Sequence, residues 1–140
     1  MSYVADASIA VKSYVPEIHP DAAARLLDPA HELYTPNLIL PEFGSIIWKK
    51  TRRREITADK GREIIHAFLA VPLLKPPATP LLEPAFETAH GTGRTVYDGT
   101  YWALVMALGC QMATADEKFY QALHHEPLGA SLLWVEDLPA

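Results

Sequence analysis

One cysteine, Cys110, stands among 140 residues, so the chain forms no internal disulfide, as suits a reducing cytoplasm. Long apolar runs are also missing. The longest nearly apolar stretch, Tyr101 to Cys110, stops at Gln111, well short of the ~20 residues that span a bilayer. The opening MSYVADAS has neither the basic start nor the apolar stretch of a signal peptide. The expectation is a cytoplasmic protein with no membrane contact. Positive charge is scarce as well: twelve Lys and Arg face seventeen Asp and Glu, a formal net charge of −5, which argues against a general nucleic-acid coat. Its distribution is uneven, however. Lys49, Lys50, Arg52, Arg53 and Arg54 place five of those twelve within six positions, enough to meet a polyanion locally.

What is present is an ordinary globular composition, 49% hydrophobic and 21% charged, of a length that predicts one domain over residues 1–140. No repeat or low-complexity segment interrupts it, and the twelve prolines punctuate short elements. Short apolar runs at Tyr3–Ala5, Leu33–Thr35, Val71–Leu74, Gln111–Ala115 and Leu132–Val135 read as five strands. Between them fall helical patterns over Ala7–Val15, His19–Leu27, Asn37 to about Arg54, Thr57–Leu69, Leu82–His90, Thr95–Leu108 and Glu117–Leu123. Asn37, Thr57 and Thr95 are the expected N-caps, and Gly91 and Gly109 the expected stops. Strands alternating with helices predict an α/β domain around a mainly parallel sheet of about five strands. Reacting groups in such folds gather beyond the carboxyl ends of the strands, where Asp6 and Asp116 each follow a strand.

Asp98 is the most informative acid. Tyr101, Trp102 and Val105 lie three, four and seven residues on, so its carboxylate shares the apolar face of its helix. A carboxylate there needs hydrogen bonds, a cation or a metal. The plainer alternative is a capping box with Thr95, although Asp reaches back less well than Glu. Glu42, early in its helix, is fully accounted for by the helix dipole when taken alone. Asp6 and Asp116 can each cap the helix that follows. Taken together, the four can converge on one volume, where mutual repulsion calls for a cation, and all-oxygen ligation suits Mg²⁺ or Mn²⁺. Setting them aside leaves thirteen acids facing twelve bases, so the acidity of the chain is largely that of this group.

The stretches YVADASIAVKSYVPE, PNLILPEFGSIIWKK and TVYDGTYWALVMALGCQMATADEKFY resemble those of the PIN-domain nucleases, in particular the VapC-type toxins of toxin–antitoxin pairs. The resemblance covers nearly the whole chain, and the third stretch is its most specific part. It implies a three-layer α/β/α domain, with Asp6, Glu42, Asp98 and Asp116 as metal-binding and catalytic acids. Ser8 and Thr114 match supporting hydroxyls. Ser45 stands where many members carry Asn, and Glu117 beside Asp116 leaves two acids for one place, with register favouring Asp116. The implied activity is Mg²⁺- or Mn²⁺-dependent hydrolysis of an RNA phosphodiester, in tRNA or rRNA, by water. The implied partners are a cognate antitoxin and a second copy in a homodimer.

Lys49, Lys50, Arg52 and Arg53 are candidates for RNA backbone contact, with a solvated helix end as the equal alternative. Lys12 and Arg94 lie nearer the acids and are further candidates. Trp48 borders the basic run, whereas Tyr101, Trp102 and Trp134 read as core. The six histidines show no metal-ligand spacing. A haloacid-dehalogenase-type phosphatase fails at Ser8, where its second Asp would stand. A PIN-type nuclease acting on DNA keeps the same acids, and a non-catalytic interaction module would use them as caps and rim.

Overall fold

A computed structural model describes residues 2–9, 31–123, 132–134 and 137. Strands β1 (Ser2–Ala5), β2 (Glu32–Tyr34), β3 (Gln111–Thr114) and β4 (Leu132–Trp134) form one sheet, ordered β2-β1-β3-β4 and parallel throughout. Alternation along the strands sends Val4, Met112 and Leu132 to one face and Tyr3, Ala5, Leu33 and Ala113 to the other. Both faces are therefore apolar, as a parallel sheet covered by helices requires. The layers make a three-layer α/β/α domain.

The helices are α1 (Ile39–Arg52), α2 (Ala58–Leu69), α3 (Leu82–Thr92), α4 (Val96–Leu108) and α5 (Glu117–Leu123), with a 3-10 turn at Thr79–Leu81 leading into α3. Residues 7–9 are also helical. The expected helical stretches over 10–15 and 19–27, and His124 and His125, lie outside the described residues. No helix among those described is long and apolar enough to cross a membrane.

Three expectations from the sequence are corrected. Val71–Leu74 is no strand but a single parallel bridge, Tyr34 to Leu74, so the sheet has four strands among the described residues. Pro72, Pro76 and Pro77 leave that segment short of N–H donors, and only Leu74 completes a rung, donating to Leu33 and accepting from Thr35 at 2.9 Å each. Asn37 does not cap α1. The chain enters through a tight turn, with the Ile39 N–H donating to Pro36 and that of Leu40 to Asn37, and Leu38 at the cap position is already αR. Finally, α3 runs past Gly91 to Thr92 and stops where Gly93 takes φ 73°. The caps at Thr57 and Thr95 and the left-handed stop at Gly109 are as read from the sequence.

One contact fixes the helix that carries Asp98. Gly99 on α4 lies against the backbone of α3, so close that a Cβ would sit 2.3 Å from the Ala85 carbonyl oxygen. Backbone cannot yield as a side-chain tip would. Gly99→Ala is expected to cost at least ~1–3 kcal/mol by forcing the two helices apart. Thermal unfolding checks this, and a melting temperature equal to that of the parent would refute the close-approach account.

Candidate active site

In the order β2-β1-β3-β4 the chain winds outward in opposite directions from β1 and β3, which opens a crevice between their carboxyl ends. Asp6 follows β1 directly, and Asp116 comes two residues after the end of β3. Glu42 enters from the first turn of α1 and Asp98 from that of α4. All four carboxylates line one cleft of about 150 Å³, with Ser8, Tyr101 and an apolar wall that includes Ile46, Met112 and Phe119. The structure thus brings together acids that the sequence separates by more than a hundred residues.

Asp6 is 8% exposed and is held by three donors. The hydroxyl of Ser8 (2.5 Å) and the backbone N–H of Ile9 (3.2 Å) donate to Oδ1, and the hydroxyl of Thr114 (2.6 Å) donates to Oδ2. Register explains the last contact, because Ala5 pairs with Ala113 and the next residues on each chain are Asp6 and Thr114. The hydroxyls are themselves anchored: Ser8 Oγ accepts from the Ala115 N–H and Thr114 Oγ1 from the Asp116 N–H, each at 3.0 Å. Having accepted a backbone proton, each hydroxyl turns its own toward Asp6.

The other three are each engaged differently. The Tyr101 hydroxyl donates to Glu42 Oε1 at 2.5 Å. Asp98 donates its backbone N–H to the Thr95 cap at 3.1 Å, while its carboxylate Oδ2 takes Arg94 Nε at 3.1 Å and Nη2 at 2.9 Å. The Arg94 guanidinium also lies 5.8 Å over the Phe119 ring. Asp116 Oδ1 accepts from the Phe119 N–H at 3.1 Å and so caps α5. Capping is therefore real for Asp6 and Asp116, but it uses only part of each carboxylate's capacity.

Burial raises Asp6 from 3.8 to about 6, against the lowering effect of its three donors, with the charge of Asp116 adding to the rise. Glu42 is raised by burial, opposed by the Tyr101 hydrogen bond and reinforced by Asp6 and Asp98. Asp98 is raised by burial, opposed by Arg94 and reinforced by Asp116. Asp6, Glu42 and Asp98 each feel another carboxylate of the group, the signature of like charges sharing a small volume. Tyr101 is driven well above the usual phenol range, by burial first and then by Glu42, so it stays a donor.

Among the described residues the donor set is carboxylate and hydroxyl oxygen with no His or Cys, which fits a hard divalent cation and not zinc. Among the described residues no three acids already form a finished ligand set. The hydrogen bonds account for that: Asp98 is turned to Arg94, Glu42 to Tyr101, and Asp116 to its own helix.

Of the remaining residues singled out in the sequence, Arg94 sits at the cleft on Asp98. Ser45 is exposed and does not line the cleft, whereas Asp116, not Glu117, faces it. Lys49, Arg52, Arg53 and Arg54 are exposed at the far end of α1, where Arg52 stacks 4.7 Å over Trp48 and Lys50 meets Glu55 at 3.9 Å. Lys12 lies outside the described residues. Tyr101 is the site residue that sequence reasoning missed. The apolar pattern places it in the core, where it also lies, and its position three residues after Asp98 on one helix face is the available signal.

A family model for the PIN domain matches residues 3–123. Ribonuclease VapC3 of Pyrobaculum aerophilum is 35% identical over 122 residues, covering 84% of this chain and 92% of that protein. Ribonuclease VapC9 of Mycobacterium tuberculosis is 30% identical over 113 residues, covering 81% and 84%. Among solved structures, PAE2754 from Pyrobaculum aerophilum superposes with a TM-score of 0.68 at 21% identity over 97% of this chain and 85% of that one, a likeness of fold. VapC20 of Mycobacterium tuberculosis, a sarcin–ricin loop cleaving toxin, gives 0.63 at 20% identity over 86% and 95%. VapBC2 from Rickettsia felis, bound to a fragment of promoter DNA, gives 0.62 at 15% identity over 96% and 97%. With the family model spanning most of its length and relatives of this identity along most of theirs, the chain belongs to the PIN-domain family and is of the VapC type.

Proposed function

We propose that this chain is a metal-dependent endoribonuclease toxin that hydrolyses phosphodiester bonds of tRNA or rRNA and is restrained by a cognate antitoxin. The observation that carries the reading is the cleft in which Asp6, Glu42, Asp98 and Asp116 meet at the sheet's carboxyl edge. The relatives named as ribonucleases support the RNA substrate, and the VapBC structure supports an antitoxin partner. A homodimer is part of the proposal.

Asp6, Asp98 and Asp116, with Glu42, would hold Mg²⁺ or Mn²⁺, which when bound supplies Lewis acidity toward the phosphate. Ser8 and Thr114 fix both oxygens of Asp6, so this ligand loses little freedom on binding. Tyr101 orients Glu42, whose raised pKa suits it to take a proton from the attacking water. Phe119, Met112 and Ile46 keep bulk water from one side of the cleft. Attack by water with the P–O3′ bond breaking would leave a 5′-phosphate and a 3′-hydroxyl.

Purified protein incubated with tRNA and rRNA in Mn²⁺, Mg²⁺ or EDTA is expected to give discrete, metal-dependent cuts with those ends. Products ending in a 2′,3′-cyclic phosphate would refute hydrolysis by water. An inert protein whose melting temperature ignores both metals would instead favour a non-catalytic interaction module.

Lys49 lies seven residues after Glu42 on one stripe of α1, about 10 Å along the axis, a reach suited to a neighbouring phosphate. Alanine at Lys49, Arg52 and Arg53 together is expected to weaken RNA binding and flatten the plot of log affinity against log salt by about 0.7 per lost contact. An unchanged slope would assign the run to solvation alone.

A further inference from the structure

A second and larger cleft, of about 360 Å³, is lined by Glu117, Tyr120, Gln121, Trp134 and Asp137. That size falls within the ~300–1,000 Å³ of small-ligand pockets. Its position follows from register and helical spacing. Trp134 pairs with Thr114, the residue whose hydroxyl holds Asp6, so this cleft opens at the same carboxyl edge, one strand over. Helix α5 is the partition between the two. Asp116 and Phe119 line the acidic cleft, whereas Glu117, Tyr120 and Gln121, at spacings of three and four, line the second.

The chemistry of this lining differs from that of a phosphate site. Among the described residues its lining includes no cation, and the carboxylates of Glu117 and Asp137 repel a phosphodiester. It does offer an aromatic wall: Tyr120 and Trp134 are half-buried, with ring centroids 5.6 Å apart and planes tilted by 55°. Flat, uncharged and rimmed with hydrogen-bond donors is the description of a ligand that would suit both features, and unpaired nucleobases stack on such walls. The carboxylates then select among bases. Guanine presents N1–H and the N2 amino group side by side, two donors that a carboxylate accepts together. Adenine and cytosine place a ring-nitrogen lone pair beside their amino group, and uracil flanks its single N–H with carbonyls, so each sets a lone pair against the carboxylate.

We propose that this pocket receives an unpaired guanine of the substrate, stacked on the Tyr120–Trp134 wall and read by Glu117, next to the phosphate presented to the acids. The proposal rests on the ribonuclease reading and deepens it, giving sequence preference to a centre whose four acids have none. Asp137 completes the rim, and Gln121 supplies an amide that can meet the guanine O6.

The test is a titration of metal-free protein with GMP, IMP and AMP, followed through the Trp134 indole N–H resonance, assigned with Trp134→Phe. The three nucleotides share one phosphate, so differences among them report the base. GMP is expected to move the Trp134 signal, with IMP, which lacks the amino group, binding about tenfold or more weakly. Glu117→Gln should remove most of the GMP preference and leave AMP unchanged. Glu117 is exposed, so the variant keeps the fold, which its spectrum checks directly. No movement of the Trp134 signal, equal affinities for the three nucleotides, or a GMP preference that survives Glu117→Gln would each overturn the proposal. Because the titration involves neither metal nor cleavage, its failure is distinct from failure of the ribonuclease reading. An enzyme that cuts RNA with no guanosine near the cut would retain that reading and overturn this one.

Discussion

Asp98→Asn is expected to lower metal-dependent RNA cleavage at least about a thousandfold, while leaving the metal-free protein as stable as the parent or slightly more so. The first part follows from charge. A ligand that helps hold a divalent cation at the phosphate contributes several kcal/mol to the transition state, and each ~1.4 kcal/mol is tenfold in rate. The second part follows from opposing effects on this carboxylate, in which burial outweighs its partner. Repulsion from Asp116 and loss of hydration disfavour the Asp98 carboxylate, while Arg94, 2.9 Å away, favours it. The pair is about a quarter exposed on each side, which tempers both effects. Asparagine removes the cost and the partner together, leaving Arg94 to solvent and the Phe119 ring. Rates by gel and melting curves with and without Mn²⁺ test both halves. A variant that still melts higher in Mn²⁺ and still cuts would show that Asp98 is no ligand.

The second large effect concerns pH. Asp6 has its folded pKa near 6 against an ordinary 3.8. The folded state therefore holds more protons than the unfolded one between those values, and stability falls as pH rises through that window. A shift of this size corresponds to roughly 3 kcal/mol at pH values above both. Glu42 and Asp98 are raised as well and act in the same sense. The metal-free protein should thus melt higher at pH 5 than at pH 7, the reverse of ordinary acid destabilisation. Asp6→Asn isolates the contribution of that residue, because the same histidines titrate in both proteins. Saturating Mn²⁺ should flatten or invert the slope, since it favours the ionised carboxylates. If wild type and Asp6→Asn share one pH profile in EDTA, the burial of Asp6 carries no such cost.

Local patterns made most of the architecture readable. Strands β1, β3 and β4 and helices α2, α4 and α5 follow from apolar spacing and from side chains that act within their own turn, such as Thr57 and Thr95. Where a partner lay far along the chain, reading from the sequence stopped. Val71–Leu74 has a strand's composition, but its pairing depends on β2 and on which N–H groups the prolines remove. The meeting of the four acids was legible because strand ends and helix faces are periodic properties. The Tyr101–Glu42 hydrogen bond spans 59 residues and has no local mark. Arg94 was visible at four residues from Asp98, yet a sequence alone does not tell a phosphate contact from an internal counter-ion.

The two hydroxyls beneath Asp6 have a consequence for how the domain tolerates change. Ser8 belongs to one chain segment and Thr114 to another, yet each accepts a hydrogen bond from the loop after β3 and donates one to the same carboxylate. They form a crossbar, and cutting either end loosens both uprights: Ser8→Ala strands the Ala115 N–H and leaves Oδ1 of Asp6 with the Ile9 N–H as its donor. Once the first end is cut, Asp6 and the loop after β3 are already held less firmly together, so the second has less left to hold. The double replacement should cost less than the two single losses added together, and natural drift at either position is answerable to its counterpart 106 residues away.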